Sequence, residues 1–476
     1  MATVEINLTN LTCKFSGNLK VLNKLREELK YRHPQGWYLR EYMPKGWDGY
    51  MRLMTDKGYL PTGFLPRALE WLEERDVDYD ITDQRELVEP VELPDRIQSF
   101  DKRDYQRVCI NAVINNYVGG QYFPRGVISA ATNAGKSVIM AGITLCYPKM
   151  DGLILINDGT LYKQMVKDMP TFYKDWGQCQ GKTIRWGKVT VAMVQTLVRH
   201  LDEYRDELSS VGVLLVDECD LSTSKTYKKV LKYIPNAFVR VGLSGTIFIR
   251  NMAKDRPKNN TVIGQFGAEL FKIKNKELME LGYSTPVVIK INMGNRMMAR
   301  SGDYDGEYKE GIVRNSERNL MWVNRARYYL KQDIKHILVV AKLHEHVEEL
   351  YRLFIRNFGN KYSIKFVHND TPTKDRDSAI EAFREGTLDI LISSFIIKRG
   401  QNMPLIRVIL NAAGGDSPEG PLQIIGRGTR THESKDKVYY EDAYDKGAYL
   451  ERHSKHRMIY YKNEGLKIIL LPPLSK

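Results

Sequence analysis

The sequence predicts an α/β protein: two successive parallel-sheet domains behind a small α+β N-terminal domain. Three observations predict it. Apolar runs of strand length alternate with polar helical patterns from about residue 101 to 250. The same alternation recurs from about 284 to 430. Ahead of both, residues 1–95 carry a shorter and more mixed pattern. Buried strands joined by helices form parallel sheets covered on both faces. A chain of 476 residues also exceeds what a single core accommodates. The expected domains are 1–95, 96–283 and 284–476.

In the first domain, Val4 to Thr12 alternates like a strand, with Ile6 and Leu8 on one side. Leu22, Leu25 and Leu29 follow at helical spacing. Trp37 and Trp47 interleave with Arg32, Arg40, Lys45 and Arg52, a mix able to stack bases and grip phosphates. The alternative is that Trp37, Trp47 and Trp71 form the small domain's core. Val88 to Asp95 holds two prolines and several acids and reads as a linker. In the second domain the strand candidates are 126–129, 152–156, 189–192, 211–216 and 238–243. In the third they are 336–340, 364–367, 388–392 and 406–410. The stretch from 431 onward is rich in tyrosine and charge and is expected to pack as a helical tail on the third domain.

Hydrophobic content of 42% and charged content of 27% are those of a globular chain. No apolar run approaches the length of a membrane span, and the first residues lack a signal peptide's pattern. A cytoplasmic protein without a membrane partner is expected. Cys13, Cys109, Cys146, Cys179 and Cys219 are scattered and form no CxxC pair, so neither zinc nor a disulfide framework is expected. The net charge of +14 favours a polyanionic partner, because neutralising phosphates releases counterions.

Four segments carry chemistry. The run Ile128–Ala131 leads out of a strand into Asn133-Ala134-Gly135-Lys136-Ser137, and a helical pattern starts behind it. Backbone N–H groups at such a helix start bind phosphate oxygens. Lys136 would neutralise the β and γ phosphates and Ser137 would ligate Mg²⁺. The alternative is an ordinary helix N-terminus; the full pattern asks for glycine where Ala130 stands.

Val213–Val216 ends in Asp217-Glu218. A buried strand delivering carboxylates at its C-terminal end is where α/β folds place chemistry. Asp217 suits Mg²⁺ through water, and Glu218 can orient and deprotonate an attacking water. A solvated turn is the plain alternative. Ser244-Gly245-Thr246 follows the strand candidate at 238–243. Gln423, Arg427 and Arg430 fall at i, i+4 and i+7, one face if the segment is helical. Two guanidiniums there suit a γ-phosphate and the charge that develops in its transfer. Gly426 and Gly428 argue against a strong helix.

In this order the segments resemble those of superfamily 2 helicases and translocases. The Gly-Lys-Ser loop looks like motif I, Asp217-Glu218-Cys219-Asp220 like motif II, Ser244-Gly245-Thr246 like motif III, and Gln423 to Arg430 like motif VI. Arg103-Asp104-Tyr105-Gln106 is similar to the adenine-side element, Thr190 to Leu197 to motif Ib, and Lys398 to Pro404 to motif V. Cys219, Gly245 and Gln423 depart from the DEAD-box RNA helicases and favour the excision-repair and phage UvsW-type DNA helicases. Phe266-Gly267, Lys276 to Tyr283, and His453, Ser454, Arg457 and Tyr460 add to that likeness. Departures within motif I are Ala130, Asn133, Ala134 and Ser137; Asn402 replaces a common aspartate.

The resemblance implies two tandem RecA-like domains using ATP and Mg²⁺. The first would supply Arg103, Gln106, Lys136, Ser137, Asp217 and Glu218, and the second Gln423, Arg427 and Arg430. It implies ATP-driven remodelling of branched DNA, such as forks and four-way junctions. DNA would be held mainly through phosphates, with Thr196, Arg399 and Gln401 as contacts. Helix capping is the alternative for Thr196. Partners of the single-stranded-DNA-binding or recombination type are compatible with it. The segment Asn411–Leu422 leaves little room for a strand-separating hairpin, so a mover of junctions is expected rather than a peeler of long duplexes. The competing readings are an RNA helicase, a restriction-type translocase, and a nucleic-acid-binding scaffold with a silenced ATP site.

Overall fold

The computed structural model describes residues 4–36, 43, 46–97, 100–101, 103–248, 255–293, 302–395, 403–416 and 419–472. The chain divides into two compact units: Met1–Ala130 with Gly135–Lys272, and Ala131–Ala134 with Ile273–Lys476.

The first unit is built on an eight-stranded sheet. Its order is Thr183–Arg185, Trp176–Gln180, Val189–Met193, Asp151–Ile156, Val211–Asp217, Val239–Ser244, Arg125–Ala130, Glu269–Ile273. The run from Trp176–Gln180 through Arg125–Ala130 is parallel. Strands Arg125–Ala130, Val211–Asp217 and Val239–Ser244 are buried at every residue. This explains why apolar residues dominate their interiors, since a strand covered on both faces has no solvated side to show; Arg125 and Arg240 are the charged exceptions near their starts. The five strands expected here all form. Trp176–Gln180 and Thr183–Arg185 escape notice because they make an antiparallel hairpin whose first strand buries only alternate residues, among them Cys179.

The N-terminal sheet domain belongs to this same unit. Its four strands run Tyr59–Pro61, Thr12–Gly17, Val4–Leu8, Tyr79–Asp83. Val4, Ile6 and Leu8 point inward at period two, as the alternation requires. Helix Leu19–Glu28 starts where the Asn18 side chain accepts the N–H groups of Lys20 and Val21. It buries Leu25 against helix Leu65–Glu73 and the sheet. Phe123 joins this core, which ties the small sheet to the large one. Trp71 lies in it too, 7% exposed. Residues 88–95 have no regular structure, as two prolines dictate.

The second unit carries a seven-stranded sheet: Ile364–Val367, Ile390–Ser393, Ile337–Val340, Val408–Asn411, Val438–Ala443, Val287–Asn292, Ile468–Leu471. Every pairing in it is parallel. The tail is more than the expected helix. Besides helix Ala448–Asn463 it supplies two strands, and Val438–Ala443 sits inside the sheet. That strand hides from hydropathy because it buries Glu441 and Asp442. Both acids are compensated. Glu441 accepts from Arg325 Nε at 2.6 Å and from the Tyr329 hydroxyl at 2.6 Å. Asp442 accepts from Arg457 Nε at 2.8 Å and from the Tyr461 hydroxyl at 2.8 Å. A third buried pair joins Arg318 Nε to Asp445 Oδ1 at 2.7 Å. Buried charges persist only when paired in this way.

A candidate nucleotide site at the strand ends of the first unit

Three strands of the first sheet end close together: Arg125–Ala130, its neighbour Val239–Ser244, and the next, Val211–Asp217. Each end delivers one of the segments singled out in the sequence.

From the first, the chain turns through Asn133 (φ 75°) and Gly135 (φ 72°) into helix Lys136–Leu145. Glycine is required at 135 twice over. Its backbone is left-handed, and an added Cβ would lie 2.4 Å from Gln106 Nε2. Gln106 is 2% exposed, and its Oε1 accepts the Arg103 N–H at 3.0 Å. The Arg103 guanidinium donates to the Tyr105 hydroxyl at 2.9 Å. The Arg103–Gln106 segment is therefore packed against the turn of the loop. Ala130, at the strand's last residue, is fully buried, so its methyl group is core rather than loop. Ala134 is likewise fully buried. Ser137 stands half-buried on the first turn of the helix.

Lys136 Nζ lies 3.3 Å from Asp217 Oδ1 and 3.2 Å from Glu218 Oε1. Glu218 adopts a left-handed backbone, φ 51°, uncommon for a residue with a side chain. Its own N–H reaches back to Asp217 Oδ1 at 3.1 Å. The Ser244 hydroxyl, ending the middle strand, is shared between Asp220 Oδ1 at 3.1 Å and Glu218 Oε2 at 3.3 Å. Lys258 Nζ approaches Asp220 from the other side at 3.3 Å. Cys219 is buried, and a Cβ on Gly242 would come within 2.8 Å of its Sγ. A small thiol fits that space, which accounts for cysteine in the third position of the acidic motif.

The electrostatics follow from crowding. Burial pulls the Lys136 ammonium down, but the adjacent Asp217 and Glu218 more than offset this and hold it above the ordinary lysine range. Burial raises the Asp217 carboxyl; Lys136 opposes, and Glu218 adds to the rise. Asp220 is raised by burial and by Glu218, against Lys258. Two carboxylates thus crowd a single ammonium, and an added cation would relieve the excess negative charge. The Ser137 hydroxyl and the Asp217 carboxylate are hard oxygen donors of the kind Mg²⁺ takes, so the residues fit that ion.

Of the remaining expected residues, Gln423 and Arg427 lie on helix Glu419–Gly428 of the second unit. Gln423 is half-buried and Arg427 is 6% exposed. Here the expectation needs correction: the helix ends at Gly428, so Arg430 lies beyond it and does not continue the i, i+4, i+7 face. Lys435 closes that end, its Nζ donating to Gly428 O at 2.6 Å and to Ile406 O at 3.3 Å. Nothing in its local sequence singles Lys435 out. The Arg430 Nε is buried without a hydrogen-bond partner among the described residues, and burial lowers its pKa.

Thr196 is 8% exposed and its Oγ1 accepts the Gly181 N–H at 3.0 Å, tying down the hairpin turn rather than capping a helix. Trp47 is half-buried, and its indole N–H donates to Tyr50 O at 2.8 Å. Trp37, Arg399 and Gln401 lie outside the described residues. Among the described residues no helix is long and apolar enough to cross a membrane.

Tandem RecA-like α/β domains, one bearing a lysine–acid cluster at its strand ends, define a class of nucleotide-dependent enzymes. Residues 99–249 match the family described as type III restriction enzyme, res subunit. Residues 322–432 match the helicase conserved C-terminal domain. The chain belongs to the superfamily 2 helicases. It is 27% identical to IRC3 of Saccharomyces cerevisiae over 71% of this chain and 51% of that protein. It is 24% identical to the ATP-dependent DNA helicase uvsW of Enterobacteria phage T4 over 82% of this chain and 80% of that one. The chain therefore spans about half the length of the first relative. Its fold is similar to a fragment of an HsdR-type subunit of a type I restriction enzyme from Vibrio vulnificus, with a TM-score of 0.59 at 17% identity over 77% of this chain and 68% of that one.

Proposed function

We propose that the chain hydrolyses ATP at the Lys136–Asp217–Glu218 cluster and uses the cycle to remodel branched DNA. The convergence of Lys136 on Asp217 and Glu218 carries the reading. In the proposed cycle Lys136 leaves the carboxylates to meet the β and γ phosphates, so its charge is retained while its partner changes. Loop N–H groups at the helix start hold the remaining phosphate oxygens. Ser137 and Asp217 would hold Mg²⁺, which supplies charge neutralisation at the phosphates when bound. Glu218, freed from the ammonium, orients the attacking water and accepts its proton. Ser244 keeps Glu218 and Asp220 aligned during that exchange. Gln106 reads the base side, beside Arg103. Gln423, Arg427 and Arg430 address the γ-phosphate and the charge that builds on it.

The choice of DNA rests on the net charge of +14, the motif details and the relative whose printed name is a DNA helicase. Branched substrates are favoured by the short segment Asn411–Leu422, whose last residues already belong to helix Glu419–Gly428, leaving no room for a hairpin-sized insertion. A labelled four-way junction and a long blunt-flanked duplex, each incubated with protein and ATP, separate the alternatives. The reading expects ATP-dependent conversion of the junction and little peeling of the duplex. Efficient duplex unwinding with an inert junction would contradict it, and remodelling confined to RNA would favour an RNA helicase.

A further inference from the structure

The first sheet begins with two arginines side by side. Arg125 and Arg240 are register partners on neighbouring parallel strands, and both are buried. Their surroundings differ sharply. The Arg125 guanidinium donates to Phe266 O, Asn10 O and Gln265 O at 3.2, 2.8 and 2.8 Å. Arg240 is 3% exposed, and its Nε has no hydrogen-bond partner among the described residues. Burial without a counter-anion lowers its pKa to about 10. An unanswered buried guanidinium is costly to the fold, and a bound anion would relieve that cost.

Arg240 faces a cleft of ≈ 440 Å³ within the first unit, where the N-terminal sheet domain meets the large sheet. Lys228 and Lys232 stand exposed at its rim, one turn apart on helix Lys225–Lys232. No aspartate or glutamate is among the described residues that line it. Arg52, also lining, is already answered by Glu27 and Asp48, at 3.0 and 2.8 Å. Tyr31, Leu53 and Phe64, from the N-terminal domain, add apolar and aromatic surface to the lining.

We propose that this cleft binds a nucleotide at a place separate from the Lys136 cradle. The phosphate sits on the Arg240 guanidinium, whose planar fork matches two phosphate oxygens, with Lys228 and Lys232 flanking it. The sugar and base lie along Tyr31, Leu53 and Phe64. The volume is that of a small-ligand site. The position excludes the cradle itself. Arg240 and Ser244 are four residues apart on one strand, about 13 Å, and Ser244 is the residue that touches Glu218. The nucleotide is either free or one unit of a nucleic-acid strand.

Calorimetric titration of the full chain distinguishes the sources. The probes are thymidine 5′-monophosphate, thymidine and hexathymidylate; the monophosphate has neither the β-phosphate nor the adenine that the cradle would hold. The expected result is binding of the monophosphate at one site, with thymidine at least tenfold weaker. Arg240→Gln should weaken it at least tenfold, and Lys228→Ala with Lys232→Ala at least threefold. Lys136→Ala should leave the affinity within twofold. Binding of hexathymidylate alone, with the same dependence on Arg240 and the lysines, supports the strand as the source. Insensitivity of both ligands to Arg240 and to the exposed lysine pair overturns the proposal, as does loss of monophosphate binding in Lys136→Ala. The lysine pair is exposed, so its result stands even if Arg240→Gln fails to fold.

Discussion

Lys136 Nζ lies 3.2 Å from Glu218 Oε1, joining the loop lysine to the acid that follows a different, non-adjacent strand. The separation in sequence is large, and only the parallel topology brings the two together. The ammonium is paired with both carboxylates, and on the proposed reading a triphosphate replaces them as its partner. Turnover, stability and pH dependence should all register that exchange.

Lys136→Ala removes the ammonium from both partners. ATP turnover should fall at least about 100-fold, the scale of losing a charged transition-state donor. Steady-state phosphate release measures it; ordinary rates in this variant would refute the assignment. The same change leaves Asp217 and Glu218 facing each other, so the variant should also melt at a lower temperature.

Glu218→Gln keeps the shape and removes the base. ATP binding should persist while hydrolysis slows by about 10²–10⁴-fold. Filter binding with labelled ATP, alongside single-turnover hydrolysis, separates the two effects. Loss of binding with normal chemistry would place Glu218 elsewhere.

Asp217→Asn should uncouple activity from stability. Burial raises the Asp217 carboxyl, so the folded state holds its proton to higher pH than the unfolded chain does. The stability this proton confers is full below the unfolded value and is lost as pH rises through the folded one. At neutral pH the ionised acid is thus a burden, and the asparagine variant should melt no lower than the wild type while losing turnover. The gap should close as the pH falls toward the ordinary aspartate range. Thermal unfolding at several pH values tests this; a variant that melts well below the wild type at neutral pH would contradict it.

Gly242→Ala probes the packing behind the acids. The new methyl would sit 2.8 Å from Cys219 Sγ, under the backbone that aims Glu218. A loss of about 1–3 kcal/mol is expected from such overpacking. Urea unfolding gives the value, and Cys219→Ala in the same chain should recover part of it.

Arg430→Ala should slow turnover more than it weakens ATP binding, by about 100-fold against a few-fold. Its buried, unpartnered Nε marks it as a group awaiting an acceptor. A variant altered only in DNA affinity would show that the arginine serves the nucleic acid instead.

Much of this was legible because fully buried strands cannot disguise themselves. Arg125–Ala130, Val211–Asp217 and Val239–Ser244 have no solvated face and are mostly apolar, and the chemistry lies at their C-terminal ends. Strand Val438–Ala443 was not legible, since Glu441 and Asp442 look exposed until Arg325, 116 residues before Glu441, and Arg457, on the following helix, are found beside them. The helical face proposed for Arg430 failed because spacing alone does not say where a helix stops, and Gly428 stops this one. Ser244 was noticed only as part of a motif; its bridge between Glu218 and Asp220 exists only once neighbouring strands are aligned. Arg240 reads as an ordinary strand residue, and only the packing of the N-terminal domain over it exposes an unanswered charge.

The most direct measurement is the rate of ATP hydrolysis by the full chain alone and with single-stranded DNA, forks, four-way junctions or RNA, run beside Glu218→Gln. The account predicts stimulation by DNA, greatest with branched forms, and its abolition in the variant. Hydrolysis that ignores nucleic acid, or that survives unchanged without the Glu218 carboxylate, would contradict it.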